Sequence, residues 1–200
     1  MVTVLGVALA LLGLLGGVWA ARSPRGPLPR QPRRHLTDFT LIDRTGRIVT
    51  RADLTNQWLI VNCVFTTCSL SCRAVSDRMA ELQGLVAAQP DVRLVSLTVD
   101  PRTDTPPVLA RFAERYRADT NRWLFLTGEK AGLYYLLRTS FLTPANELAG
   151  IVPGGFTDTD RIFLVDARGE VCEVFDGLKP GTPQEVVSAI ARLRGTRMSL

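Results

Sequence analysis

Trp58-Leu-Ile-Val-Asn-Cys-Val-Phe-Thr-Thr-Cys-Ser-Leu-Ser-Cys72 decides the fold. Its first half, Trp58 to Phe65, is a near-continuous apolar run, as expected of a buried strand. Beyond it Val75, Met79, Leu82 and Val86 recur at spacings of 4, 3 and 4, which predicts an amphipathic helix reaching about Ala88. Cys68 and Cys72 therefore fall in a strand-to-helix turn, near a helix N-terminus. The helix dipole and the unpaired N–H groups there favour an anion, so a thiolate forms more easily. If the helix starts early, the spacing of the two cysteines puts them on one face, a turn apart. Such a pair can close a disulfide or hold a soft metal ion.

Outward from this stretch, strand and helix signals alternate. Phe39 to Asp43, the turn Arg44-Thr-Gly-Arg47 and Ile48-Val49 predict an N-terminal hairpin, and Asp53 a cap on a short turn before Trp58. Val92 to Val99 is a second β-rich run, ended by Asp100-Pro101. Thr105 and Pro106 open a helix as cap and first position, with an apolar stripe of Val108, Leu109, Phe112, Ala113 and Tyr116. Trp123 to Leu126 predicts a short strand, and Lys130 to Arg138 a helix. Residues 139–157, rich in Pro and Gly, predict a loop or flap. Arg161 to Asp166 and Glu170 to Phe175 predict a hairpin, and Pro183 to Arg194 a closing helix. The sum is an α/β thioredoxin-like fold: a central mixed sheet flanked by helices, with the N-terminal hairpin added.

The chain has 200 residues, 46% of them hydrophobic, which suits one ordinary domain and argues against disorder. Its formal net charge is +5, held by Arg22, Arg25, Arg30, Arg33 and Arg34; from residue 35 onward acids and bases balance. The folded part carries no nucleic-acid signature, and the basic linker beside an apolar segment suits anionic lipid headgroups better than DNA. Residues 1–21 are apolar over about the length of a bilayer span, and read as a transmembrane anchor or a signal peptide, with Val18-Trp19-Ala20 as a small-x-small cleavage pattern. No cysteine near their end marks a lipid attachment. The arginines follow the apolar run, which by the positive-inside rule would keep the domain in the cytoplasm; the paired thiols favour an oxidising compartment, and export is the expectation. Residues 22–35 read as a Pro/Arg-rich tether and residues 36–200 as the folded domain.

Several motifs in order resemble the Sco/SenC proteins: Phe65-Thr-Thr-Cys68-x-x-x-Cys72, Val99-Asp-Pro-x-x-Asp104-Thr-Pro106, Leu126-Thr-Gly128, Asp38-Phe-Thr-Leu41 through Gly46, and Arg161-Ile-Phe-Leu-Val-Asp166 with Gly169. The likeness covers roughly residues 36 to 194. It implies a thioredoxin fold tethered to a membrane, in the periplasm or mitochondrial intermembrane space. It also implies delivery of copper to the binuclear copper site of cytochrome c oxidase, or reduction of that site's thiols. The family's copper ligands are both cysteines and one histidine, found in a His-Ser-x-Arg context before the late strand. Here the run is Phe156-Thr-Asp-Thr-Asp-Arg161, and Asp158 stands at the histidine position. The only histidine, His35, lies at the end of the tether.

Cu(I) prefers thiolate or imidazole, and carboxylate suits harder ions, so Asp158 is a weak third ligand. Its charge also disfavours a nearby thiolate, against the helix N-terminus. Three readings follow. The first is a copper-handling assembly factor for cytochrome c oxidase, with copper on Cys68 and Cys72. The second is a thiol–disulfide oxidoreductase of exported thiol proteins, with Cys68 attacking and Cys72 resolving. The third is an assembly factor without metal chemistry, which the retained cysteine pair opposes. The partner is accordingly the copper-bearing oxidase subunit or another exported thiol protein, with membrane attachment through the N-terminal segment. Cys63 and Cys172 read as small buried hydrophobes. Asp100 and Asp104 are candidates to line the mouth of the site, with structural capping as their expected role.

Overall fold

The structure, a computed structural model, describes residues 34–67, 71–143 and 160–197. The strands are β1 (Arg34–His35), β2 (Thr40–Asp43), β3 (Ile48–Thr50), β4 (Trp58–Val64), β5 (Val92–Thr98), β6 (Trp123–Thr127), β7 (Arg161–Val165) and β8 (Glu170–Asp176). The helices are α1 (Ser71–Leu85), α2 (Pro106–Arg115), α3 (Lys130–Ser140) and α4 (Thr182–Arg197). All eight strands join one mixed sheet in the order β1-β8-β7-β4-β5-β6-β2-β3. β4, β5 and β6 run parallel, while β7 lies antiparallel to β4.

β4 is buried at every position because both its faces are covered. Leu59, Val61 and Cys63 face the layer of α3, with Leu133, Leu137 and Phe141. Trp58, Ile60 and Val64 face the other layer, where α1, α2 and α4 contribute Val75, Met79, Phe112 and Ile190. The helical stripe expected after Cys72 is the buried face of α1, with Val75, Met79 and Leu82 fully buried; the helix ends at Leu85, short of the expected Ala88, and Val86 is fully buried just past it. A polar line crosses this layer: Trp123 Nε1 donates to Ser96 Oγ at 2.9 Å, and Ser96 Oγ donates to Asn62 Oδ1 at 2.7 Å. Each buried polar atom there answers another, as burial requires.

The predicted hairpin is β2–β3, and it joins the sheet edge through β2 against β6. Its turn and that of β7–β8 use one device. Asp43 Oδ1 accepts from the N–H of Thr45 and Arg47, and Asp166 Oδ1 from the N–H of Arg168 and Glu170. Gly46 (φ 87°) and Gly169 (φ 81°) supply the left-handed residue each turn needs. Burial pushes the Asp43 carboxyl up, but the hydrogen bonds from Thr45 and Arg47 and the Arg47 charge together hold it below its ordinary value.

Three differences from the sequence reading have physical causes. The sheet begins at Arg34–His35, the last two residues assigned to the tether, because β8 offers them an edge and Leu36 N–H donates to Gly169 O at 2.7 Å. Thr105 is the N-cap of α2 by position, but its hydroxyl makes no capping bond; Pro106 carries the start instead. Cys172 sits at a register shift between β7 and β8 and is half-buried, so it is not a core hydrophobe. Its thiol donates toward Glu170 O (3.3 Å) and Asp166 Oδ2 (3.5 Å).

Gly177 follows β8 and permits a close approach of three segments. A Cβ there would lie 2.8 Å from Asp160 O and 3.0 Å from Val75 Cγ2. Gly177→Ala is therefore expected to lower stability by about 1–3 kcal/mol. Gly84→Ala, in α1 with nothing within 4 Å of the added carbon, is expected to raise it by up to about 1 kcal/mol. Urea midpoints of the two variants check both signs, and a neutral Gly177→Ala would refute the tight approach.

Candidate functional site

The three parallel strands end on one side of the sheet, the side where open α/β sheets present their sites. There β4 runs into Phe65-Thr66-Thr67 and then into the cysteine turn. The parallel ladder extends one bond past β5, with Val99 N–H donating to Val64 O at 2.9 Å. α1 is Ser71–Leu85, so Cys72 is its second described residue, and Cys68 precedes this helix, which begins later than the early start that would put both cysteines on one helical face. Cys68 and Asp158 lie outside the described residues, and so does most of the expected flap.

The structure does show how both neighbouring segments enter this end of the sheet. β7 pairs with β4 through Asn62↔Ile162, so the ladder runs toward Asp160 where β4 runs toward Phe65. Asp160 O accepts from Gly177 N–H at 2.7 Å, and Gly177 lies against Val75, three residues beyond Cys72. The chain that leaves the Asp158 region and the helix that carries Cys72 are thus packed on a common glycine.

Asp104 is the residue whose part sequence spacing did not reveal. It does not cap α2. It is fully buried, and its carboxyl joins the end of β5 to the segment before Cys68. Thr66 Oγ1 donates to Oδ1 at 2.6 Å, Thr66 N–H reaches Oδ1 and Oδ2 at 3.2 and 3.3 Å, and Thr98 Oγ1 donates to Oδ2 at 2.5 Å. The Thr98 hydroxyl in turn accepts from Asp100 N–H at 2.9 Å, which leaves its proton for Asp104. Burial raises the Asp104 carboxyl above its ordinary value, and the bonds from Thr66 and Thr98 oppose that only in part. Nearby, Tyr134 Oη donates to Val99 O at 2.9 Å, so α3 also braces this strand end. The Glu129 side chain caps α3 by accepting from Ala131 and Gly132 N–H, both at 3.0 Å.

Among the described residues one group has metal-ligating atoms close together: Asp166, Glu170 and Cys172, all within 4.8 Å of one another. It lies at the far end of β7, away from the cysteine turn, and the Asp166 oxygens already serve the hairpin turn. Cys63 is buried, its Sγ 4.0 Å from Thr143 Oγ1, and fits the reading as core. Also among the described residues, no helix is long and apolar enough to cross a membrane.

The sheet order and the helices on both its faces define a thioredoxin-like domain. A family model described as SCO1/SenC matches residues 28–195, and the chain belongs to that family. It is 34% identical over 154 residues to the SCO1 protein homolog of Bacillus subtilis, covering 76% of this chain and 79% of the relative. It is 31% identical over 170 residues to the mitochondrial SCO2 homolog of Bos taurus, and spans 60% of that relative's length. The solved structure of BsSco, described as a member of the Sco family of cytochrome c oxidase assembly proteins with a disulfide switch, superposes with a TM-score of 0.70 at 24% identity, covering 84% of this chain and 96% of that one. Yeast Sco1 with copper bound superposes with a TM-score of 0.62 at 17% identity, covering 80% and 94%. The structural likenesses establish the fold, and the thioredoxin-like expectation holds.

The raised proton affinity of Asp104 has a measurable consequence. The folded chain keeps this proton to higher pH than the unfolded chain, so stability falls as pH rises from the ordinary aspartate range through the raised value. In Asp104→Asn that component disappears. Denaturant midpoints between about pH 4 and 7 should fall less steeply with rising pH in the variant. Identical slopes in both proteins would refute the assignment.

Proposed function

We propose that this chain handles copper in assembling the copper site of cytochrome c oxidase, taking Cu(I) as cargo on Cys68 and Cys72. Two thiolates are the soft donors Cu(I) prefers. The observation that carries the reading is the start of α1 at Ser71, which sets Cys72 in the first turn, where the helix N-terminus stabilises a thiolate. Family membership and the copper-bound yeast relative support the same cargo. Asp158 at the histidine position is a poor ligand for a soft ion, so the thiolates carry the binding and Asp158 adds at most a weak third contact. The partner is the copper-bearing subunit of the oxidase. Residues 1–21 attach the chain to the membrane, residues 22–33 are the tether, and the folded domain faces the periplasm.

A second reading uses the same pair as a dithiol, and the disulfide switch described for BsSco favours it. The Cys68 thiolate attacks a disulfide of an exported partner, forming a mixed disulfide and releasing one partner thiolate. The Cys72 thiolate then displaces the second partner sulfur. The partner leaves as a dithiol, and this chain keeps the disulfide and has lost two electrons.

Titration of the reduced full chain with Cu(I) against a competing chelator separates the two. Copper carriage predicts tight one-to-one binding. It predicts a loss in Cys68→Ser greater than the roughly 10–100-fold typical of removing an outer-shell partner. It also predicts tighter binding in Asp158→His. Binding that appears only in Asp158→His would end the carrier reading and leave the dithiol as the working chemistry.

A further inference from the structure

We infer that Asp104 is a positioning residue for the cysteine turn, acting through Thr66. The inference deepens the proposed site and rests on Cys68 being its working thiol. Within the Phe65-to-Thr67 segment, Thr66 is anchored to another part of the chain by the Asp104 carboxyl. The anchor takes both the amide and the hydroxyl of Thr66. It thereby fixes backbone position and side-chain rotamer together, two residues ahead of Cys68. Its other end is fixed as well: Thr98 closes β5, and Asp104 N–H donates to Asp100 O at 2.9 Å. The carboxyl is fully buried, where an ungripped charge is costly. The burial therefore makes the grip stiff. Rotation of Thr66 away from it would leave Oδ1 of the buried carboxyl without the Thr66 hydroxyl and amide.

The two threonines provide the test, because each removes one hydroxyl from the same carboxyl, but only Thr66 leads directly into the turn. The full chain in detergent micelles is reduced and alkylated with iodoacetamide across a range of pH, and the Cys68 peptide is followed by mass spectrometry. Thr66→Val is expected to change the Cys68 alkylation rate by about tenfold and to displace its pH profile, the size of effect typical of losing an orienting partner. Thr66→Ser, which keeps the hydroxyl, should return the rate to within about threefold, and Thr98→Val should stay within the same range although it melts earlier. Equal shifts in Thr66→Val and Thr98→Val, or no shift in either, would overturn the inference and reduce Asp104 to a stability element. The Cu(I) titration on the same samples keeps the two ideas apart. If the unaltered chain binds no Cu(I) while Thr66→Val shifts the alkylation profile, the positioning role stands and the copper reading falls.

Discussion

β4 is the constraint on which the rest depends. It is the central strand, with β5 parallel on one side and β7 antiparallel on the other, and both of its faces are buried. A strand so placed has no free edge and no solvent face, so its register is set twice over, once by each neighbour. That register fixes the level at which the chain leaves the sheet at Phe65. It fixes equally where β7 enters, since Asn62 pairs with Ile162. The cysteine turn and the approach to the Asp158 stretch are therefore consequences of one strand's pairing, with the helices packed on either side as supports.

Much of this frame was legible in the sequence because its signals are local. The apolar run of β4, the 4-3-4 stripe of α1 and the two Asp-x-x-Gly turns each need only a few consecutive residues to be read. The turns are the clearest case: the same aspartate-to-amide bonds and the same left-handed glycine recur at Asp43 and Asp166. What was not legible depends on distance along the chain. Asp104 meets Thr66 across 38 positions, and nothing in the intervening sequence announces the contact. The pairing of Arg34–His35 with β8 bridges a still longer gap, and composition marked those residues as tether. Cys172 looked like a strand hydrophobe because alternation assumes an unbroken register, which the bulge beside Val165 interrupts.

The site end of the sheet is braced from both layers. On one, Val75 and Gly177 hold α1 against the start of β7. On the other, Tyr134 of α3 bonds the backbone just beyond β5. Gly128, too, has Leu41 Cδ2 2.9 Å from where its Cβ would stand, which locks the N-terminal hairpin beside the turn that opens α3. The added hairpin is thus part of the support for the functional end, although it contributes no candidate ligand.

An acid at position 104, and not its amide, follows from the donors it meets. Three hydrogens converge there, from Thr66 N–H, Thr66 O–H and Thr98 O–H. An ionised carboxyl is acceptor-only and can answer all three, whereas an amide would turn its own donor toward one of them. Burial argues the other way, since it favours the neutral form and raises the group's proton affinity. The conflict is eased by Thr98, whose hydroxyl oxygen already accepts from Asp100 N–H and so directs its proton inward. The grip on Thr66 is strongest in the charged form, which is also the form that the buried site least tolerates without it. Carboxyl and cysteine-turn segment are therefore held by a mutual requirement: the charge needs the donors of Thr66, and Thr66 has its rotamer set by the charge.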